Sequence, residues 1–306
     1  MKISVVIPSY RRPSDLTRCL VALSRQTRIS DEIIVVARTD DHETWGVIHD
    51  FTMDLPLKGA AVQEPGVIQA ENLGISLASG DIIAFTDDDA EPCVDWLERI
   101  VRIFSQANQR LVAVGGRDTI YCDELPDDRC KPVVGKLTWF GRLQGNHEFG
   151  CGPARDVDVL KGVNMAFRST YIRDIGLDTR LQGRGAQMHW ELMLCLTARK
   201  QGLTLLFDPS IHVKHYPGKR YGRDQRIDFY PETMTENVHN ETLAILSYFP
   251  WPQRFIFLIW SFLVGHRGAP GLIQAVRLGI LGYPSIAMFK AAQKGRIFGW
   301  ITWRAD

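Results

Sequence analysis

An α/β fold around a mostly parallel, Rossmann-like central sheet is what this sequence predicts, with a helical, membrane-associating segment after it. Three observations predict it. Short β-branched runs alternate with amphipathic stretches through the first half of the chain, the pattern of successive βαβ units. Several of those runs are apolar throughout, as expected where helices cover both faces of a parallel sheet. Past residue 240 the chain turns apolar and its charges become almost wholly basic.

The elements follow in order. Ile3-Ser4-Val5-Val6-Ile7 is the first strand, and Pro13 and Ser14 open a helix over about residues 14–25. A strand at 32–36, a helix at about 41–52, a strand at 60–63 and a helix at about 67–78 continue the alternation, with Gly80 placed as a left-handed helix cap. The strand at 82–86 ends the repeat, and a helix runs from about Cys93 to Phe104. Ligands of such sheets bind beyond the carboxyl ends of the strands, so the segments beginning at Pro8, Arg38 and Asp87 face one crevice. Domains are expected at 1–230, in two parts divided between residues 116 and 117, and at 231–306. The turn-rich stretch between Arg117 and Arg155 reads as a loop excursion, with Trp139, Phe140 and Phe149 as anchors or as rings open to stacking.

With 306 residues, 45% of them hydrophobic, the chain has material for one large or two modest cores, which excludes a disordered protein. A formal charge of +1 supplies no field for nucleic acid as a partner. The six cysteines lack CxxC or disulfide-framework spacing, so a reducing environment fits, and no basic-then-apolar secretory signal opens the sequence. A cytoplasmic setting is the expectation.

Three adjacent carboxylates, Asp87-Asp88-Asp89, follow the apolar Ile82-Ile83-Ala84-Phe85. Like charges so close repel, and a fold keeps them together mainly where a cation sits. Hard carboxylate oxygens suit Mn2+ or Mg2+, which complete their shells with water and phosphate oxygens. The alternative is capping of the next helix by Asp89 or Glu91, a task that needs one acid rather than three.

The ordered set Val5-Val6-Ile7-Pro8-Ser9-Tyr10-Arg11-Arg12, Glu32-Ile33-Ile34-Val35-Val36, Asn72-Leu73-Gly74, Ser79-Gly80-Asp81 and Phe85-Thr86-Asp87-Asp88-Asp89-Ala90-Glu91-Pro92 resembles a family 2 glycosyltransferase of the GT-A fold. Lys161 to Arg168 is similar to that family's acceptor-side segment, and Phe207-Asp208-Pro209 with His212 and His215 to its closing strand. The resemblance covers roughly residues 1–216 and implies an inverting transfer from a nucleotide-diphospho-sugar donor.

Carried over by position, it implies nucleotide-sugar contacts at Pro8, Tyr10, Arg12, Asp40, Asn72, Asp87 and Asp88. It implies a metal held by Asp89, Asp87 and His215, and an acceptor side at Gly162, Asn164 and Trp190. Two departures stand out. The acids after the second strand, Asp40 and Asp41, come late, and Ala70-Glu71-Asn72 has an anion where relatives often have an arginine. Compensating cations are available in Lys219, Arg220 and Arg223, in a glycine-bearing segment suited to a diphosphate lid or to a plain solvated loop.

The general base is expected on a helix over about 188–200, where relatives carry a Glu-Asp pair and this chain reads Met188-His189-Trp190-Glu191. On one helix His189 and Glu191 point roughly 200° apart, so one of them serves; Glu191 is favoured, His189 is the alternative.

Phe255 to Gly265 is an apolar run too short to span a bilayer, and Ala269 to Phe289 is a second one broken by Arg277, Gly279, Gly282 and Pro284. Such a tail suits the cytoplasmic face of the cell (inner) membrane, or packs as a helical cap or oligomer contact. The acceptor expected there is a saccharide or polyprenyl-linked saccharide, as in polysaccharide or glycolipid assembly. Other classes in view are a sugar nucleotidyltransferase and an inactive nucleotide-sugar or glycan-binding subunit.

Overall fold

The computed structural model describes residues 1–121, 129–218 and 228–305. The chain forms two compact units, one of residues 1–136, 144–177 and 201–219, the other of 137–143, 178–200 and 220–306.

The first unit holds strands β1 (Ile3–Ser9), β2 (Glu32–Arg38), β3 (Leu57–Val62), β4 (Ile82–Phe85), β5 (Ala90–Pro92), β6 (Leu111–Ile120), β7 (Arg155–Val157), β8 (Met165–Arg168) and β9 (Thr204–His215). Among the described residues they make one nine-stranded sheet in the order β3-β2-β1-β4-β8-β6-β9-β5, with β7 beside β9. β1, β2, β3 and β4 run parallel; β8 is antiparallel to β4 and β6; β6 and β9 run parallel again. The carboxyl ends of β1, β4, β6 and β9 therefore share one edge. β1, β2 and β4 are buried on both faces, which is why their sequences lack alternation.

Helices α1 (Pro13–Ser24), α2 (His42–Phe51), α3 (Val67–Leu77) and α4 (Trp96–Gln106) flank this sheet, and α5 (Ser169–Ile175) follows β8. Leu16, Leu20, Trp96, Ile100 and Phe104 join Val5, Ile33 and Ala84 in one core. Asp41 caps α2 by accepting from the Thr44 amide.

Three expectations are corrected here. Gly80 is not a left-handed cap: a Cβ there would lie 2.8 Å from Ser4 N and Oγ, so close approach to β1 is what demands glycine. The stretch after Arg117 is not loop from its start, because β6 continues through Ile120. Cys130 and Cys151, which lack framework spacing, are joined by a disulfide.

One irregularity sets up the site. Pairing of β9 with β6 jumps from Asp208↔Gly116 to His212↔Arg117, a bulge of three residues. Gly116 makes it possible, since a Cβ there would fall 1.8 Å from the Ile211 carbonyl oxygen. The Asn164 amide bridges the gap, donating to Arg117 O at 2.9 Å and Ile211 O at 3.0 Å while Trp96 donates to its oxygen at 2.8 Å.

The second unit contains α6 (Trp190–Lys200), α7 (Pro231–Tyr248), α8 (Trp251–Leu263), α9 (Leu272–Ile280) and α10 (Ser285–Arg304). α7 and α10 pack closely along Gly295 and Gly299, where Cβ atoms would come within 2.5 Å of Thr235 O and 2.7 Å of His239 O. Arg296 turns inward and donates to the carbonyls of Ala269 and Pro270. Phe140 packs its ring 5.0 Å from that of Trp260, whereas Trp139 stays largely exposed. No helix of the described residues is long and apolar enough to cross a membrane.

Candidate active site

The acids sit where β4 ends. Val6 of β1 is paired with Phe85, so the segment after β1 comes alongside the turn that follows β4. β5 then pairs back onto β9 with Ala90 opposite His215, which puts that histidine next to Asp89. Asp87, Asp89 and His215 thus offer three ligand atoms within 4.8 Å of one another.

Successive residues cannot all face one hollow, and the middle acid turns away. Asp88, expected at the nucleotide sugar, is completely buried, accepting from Ser9 Oγ at 2.8 Å and paired with Arg12 Nη2 at 2.7 Å. Burial pushes its carboxyl up to about 8 against the pull of Arg12. Arg12 is likewise committed within the protein: its Nη1 lies 2.8 Å from Asp89 Oδ2, so it clamps two acids of the run. Gly218 also donates its N–H to Asp89 Oδ2 at 2.8 Å.

His215 bridges two carboxylates. Its Nε2 stands 3.3 Å from Asp89 Oδ1 and its Nδ1 3.7 Å from Asp118 Oδ2. Burial opposes the imidazolium, yet Asp118 and Asp89 outweigh it and raise the imidazole to about 9. Burial also works against the Asp89 carboxylate, but His215 and Arg12 hold it down at about 2. Asp87 moves up because burial and its neighbour Asp89 both disfavour its charge. Asp118 is completely buried at the end of β6, with Lys161 Nζ bonded to its Oδ2.

A divalent cation fits this set. Asp88 and Asp118 flank Asp87, Asp89 and His215, and among the described residues Arg12 pairs with Asp88 and Asp89 while Lys161 pairs with Asp118. Asp89 Oδ1 and His215 Nδ1 are buried without a hydrogen bond. Two hard oxygen donors plus one imidazole suit Mn2+ or Mg2+, and binding would displace the proton that His215 otherwise keeps.

The other expected residues fall into distinct places. Tyr10 is half-buried after β1, with the Arg11 and Arg38 guanidinium carbons 5.0 and 5.7 Å from its ring centroid. Asp40 is exposed, 3.3 Å from Arg38 Nε, and Pro8 pairs with Val36 inside the sheet. Asn72 turns from the expected donor role to a brace, donating to Leu177 O at 3.0 Å and accepting from Leu177 N at 2.7 Å. Gly162 and Asn164 lie in a short 3-10 turn before β8, and Asn164 has its amide engaged at the bulge instead of at an acceptor.

Trp190 is buried at the start of α6. Glu191 follows it in the first turn, half-buried. His189 precedes the helix with φ of 73°, left-handed backbone, so the angle between His189 and Glu191 expected of a shared helix does not apply. Burial lowers the His189 imidazole, against Glu241 which raises it. Lys219, Arg220 and Arg223 lie outside the described residues.

Sequence reasoning missed Asp118 and its bond to Lys161. The signal was present but faint: Asp118 is the one acid in the otherwise uncharged or basic run from Leu111 to Ile120.

Residues 4–169 match the family model for glycosyl transferase family 2. The chain belongs to family 2 of the glycosyltransferases. Two relatives come from Haloferax volcanii: glycosyltransferase AglE, 26% identical over 72% of this chain and 68% of its own length, and glucosyl-dolichyl phosphate glucuronosyltransferase, 28% identical over 70% and 69%. Among solved structures, Staphylococcus aureus TarS in complex with UDP-GlcNAc superposes with a TM-score of 0.63 at 17% identity, covering 100% of this chain and 91% of that one. The mannosyltransferase PcManGT from Pyrobaculum calidifontis, in complex with GDP-Man and Mn2+, gives 0.59 at 16%, covering 99% and 87%. Both share the GT-A arrangement, and this family 2 glycosyltransferase is an enzyme of sugar transfer. That sets aside the nucleotidyltransferase and binding-subunit readings.

Proposed function

We propose that this glycosyltransferase moves a sugar, with inversion, from a nucleotide-diphospho-sugar to a hydroxyl of a saccharide or polyprenyl-linked saccharide, in polysaccharide or glycolipid assembly. The observation that carries the reading is the cluster of Asp87, Asp89 and His215 at the carboxyl edge of the sheet, whose three ligand atoms lie within 4.8 Å of one another. Asp87, Asp89 and His215 would hold Mn2+ or Mg2+, which when bound supplies positive charge for the departing diphosphate. Support for the donor comes from the two solved relatives, which hold UDP-GlcNAc, or GDP-Man with Mn2+. Support for a lipid-linked acceptor comes from the relative named for glucosyl-dolichyl phosphate. Such an acceptor places the work at the cytoplasmic face of the cell membrane, with the helical unit of α7 to α10 as the part that meets it.

The chain's own residues divide the task. Tyr10, set between Arg11 and Arg38, offers its ring to the base, and Asp40 reaches the nucleoside. Pro8, in β1 beside Val36, stands near the end of the strand just before Tyr10. Arg12 neutralises Asp88 and orients Asp89, keeping one Asp89 oxygen turned to the ion. Glu191 takes the proton from the acceptor hydroxyl as its oxygen bonds to the anomeric carbon and the bond to the diphosphate oxygen breaks. His189, whose imidazole burial keeps neutral, is the alternative base.

The test is release of nucleoside diphosphate from a panel of UDP- and GDP-sugars, with and without Mn2+ and a polyprenyl-linked acceptor. Metal-dependent release that the acceptor accelerates supports the reading; release unchanged by EDTA contradicts it. Glu191→Gln should lower turnover by about two to four orders of magnitude with donor affinity unchanged. If His189 is the base, His189→Gln has that effect instead.

A further inference from the structure

We propose that the outward faces of α8 and α9, with the start of α10, form a surface that lies flat on an anionic bilayer, in the plane of its headgroups. This rests on the reading that the enzyme works against a membrane, and adds the surface by which it does so.

Apolar residues of α8 and α9 point both ways. Inward, Phe257 and Leu278 are almost completely buried. Outward, α8 presents Trp251, Phe255, Ile259 and Phe262, at spacings of four, four and three, along one stripe. α9 does the same with Ile273, Val276 and Ile280, which are 63%, 65% and 82% exposed, and Ile286 at the start of α10 is 72% exposed. A helix meant for water puts charge on such a face, and exposed apolar stripes on two neighbouring helices mark a partner.

Charge identifies the occupant. Between Trp251 and Ala305 there is no Asp or Glu, while Arg267, Arg277, Lys290, Lys294 and Arg304 are exposed. A second copy docking by the same face would bring cations against cations without an acid to pair them. An anionic lipid surface attracts them and takes the apolar stripes between its chains. Three of the cations lie over aromatic rings, Arg267 on Tyr283, Lys294 on Phe298 and Arg304 on Trp300, and Tyr283 and Trp300 are amphipathic rings of the kind that suits the headgroup layer. None of the described helices is long and apolar enough to cross, so the geometry is one of lying on the bilayer.

The experiment is co-sedimentation of the full chain with phosphatidylcholine vesicles with and without phosphatidylglycerol. We expect binding to the phosphatidylglycerol vesicles, reduced by salt, and a loss of about tenfold or more in partitioning for V276E/I280E. The charge reversal R277E/K290E/K294E, which leaves buried residues untouched, should weaken binding comparably; nucleoside diphosphate release in detergent-free buffer serves as the fold control. Wild-type protein that ignores both vesicles sinks the membrane reading and this surface together. Wild-type binding that both variants retain overturns the surface alone. A dimer in vesicle-free solution that V276E/I280E dissociates shows the face to be a contact between copies and overturns the proposal.

Discussion

At the scale of single residues, the site depends on how each carboxylate is held. Asp118 lies behind His215, buried, and tied to Lys161. A carboxylate behind a ligating imidazole fixes its orientation and raises its basicity. Asp118→Asn should therefore weaken Mn2+ binding by about tenfold, read from free Mn2+ by electron paramagnetic resonance; unchanged affinity would show that Asp118 serves packing alone. A second ion pair, half-buried, makes a pH prediction. His266 Nε2 lies 2.9 Å from Glu241 Oε1, Glu241 is drawn down to about 2 by His266 against its burial, and His266 is raised chiefly by Glu241. Glu241's contribution is present above its ordinary 4.5 and is lost as pH falls toward about 2. His266's is present below its ordinary 6.5 and is lost as pH rises through its elevated value. The pair therefore stabilises most between those two ordinary values. His266→Gln should cost about 1–3 kcal/mol there, moderated because a third of the His266 side chain meets solvent, and less at pH 9, as measured by urea unfolding.

At the scale of elements, what was legible depended on whether a pattern was local. Strands β1, β2 and β4 announce themselves because burial on both faces leaves mostly apolar residues, and α1 begins where Pro13 sits. The Asp run marks the end of β4 for the same local reason. The three-residue bulge in β9 was not legible, since it is fixed by the Gly116 backbone approach and the Asn164 amide, residues distant in sequence. Nor was the turn of Asp88 away from its neighbours, which follows from the turn after β4 and from its contacts with Ser9 and Arg12. α6 begins two residues later than its apolar pattern suggests, because His189 adopts left-handed backbone. Helix packing yields a third prediction. Gly295→Val on α10 would drive a side chain into the Thr235 carbonyl, and should destabilise the chain by about 1–3 kcal/mol or more in thermal or urea unfolding. An unchanged midpoint would mean that α7 and α10 separate at little cost.

For the whole molecule, composition excluded much and identified little: a near-neutral chain offers no reading of its substrate. The ordered motifs gave the family, and the family match over residues 4–169 carries the same assignment. Donor, acceptor and setting rest on the proposal built from the metal cluster. Its most direct test is calorimetric titration of UDP and GDP into the full chain with Mn2+ and with EDTA, in wild type and Asp89→Ala. The account predicts that at least one nucleotide binds in a Mn2+-dependent manner, and that Asp89→Ala lowers its affinity by about tenfold or more while the protein remains folded. Equal nucleotide affinity in EDTA, or an Asp89→Ala protein that binds nucleotide with Mn2+ as wild type does, would contradict it.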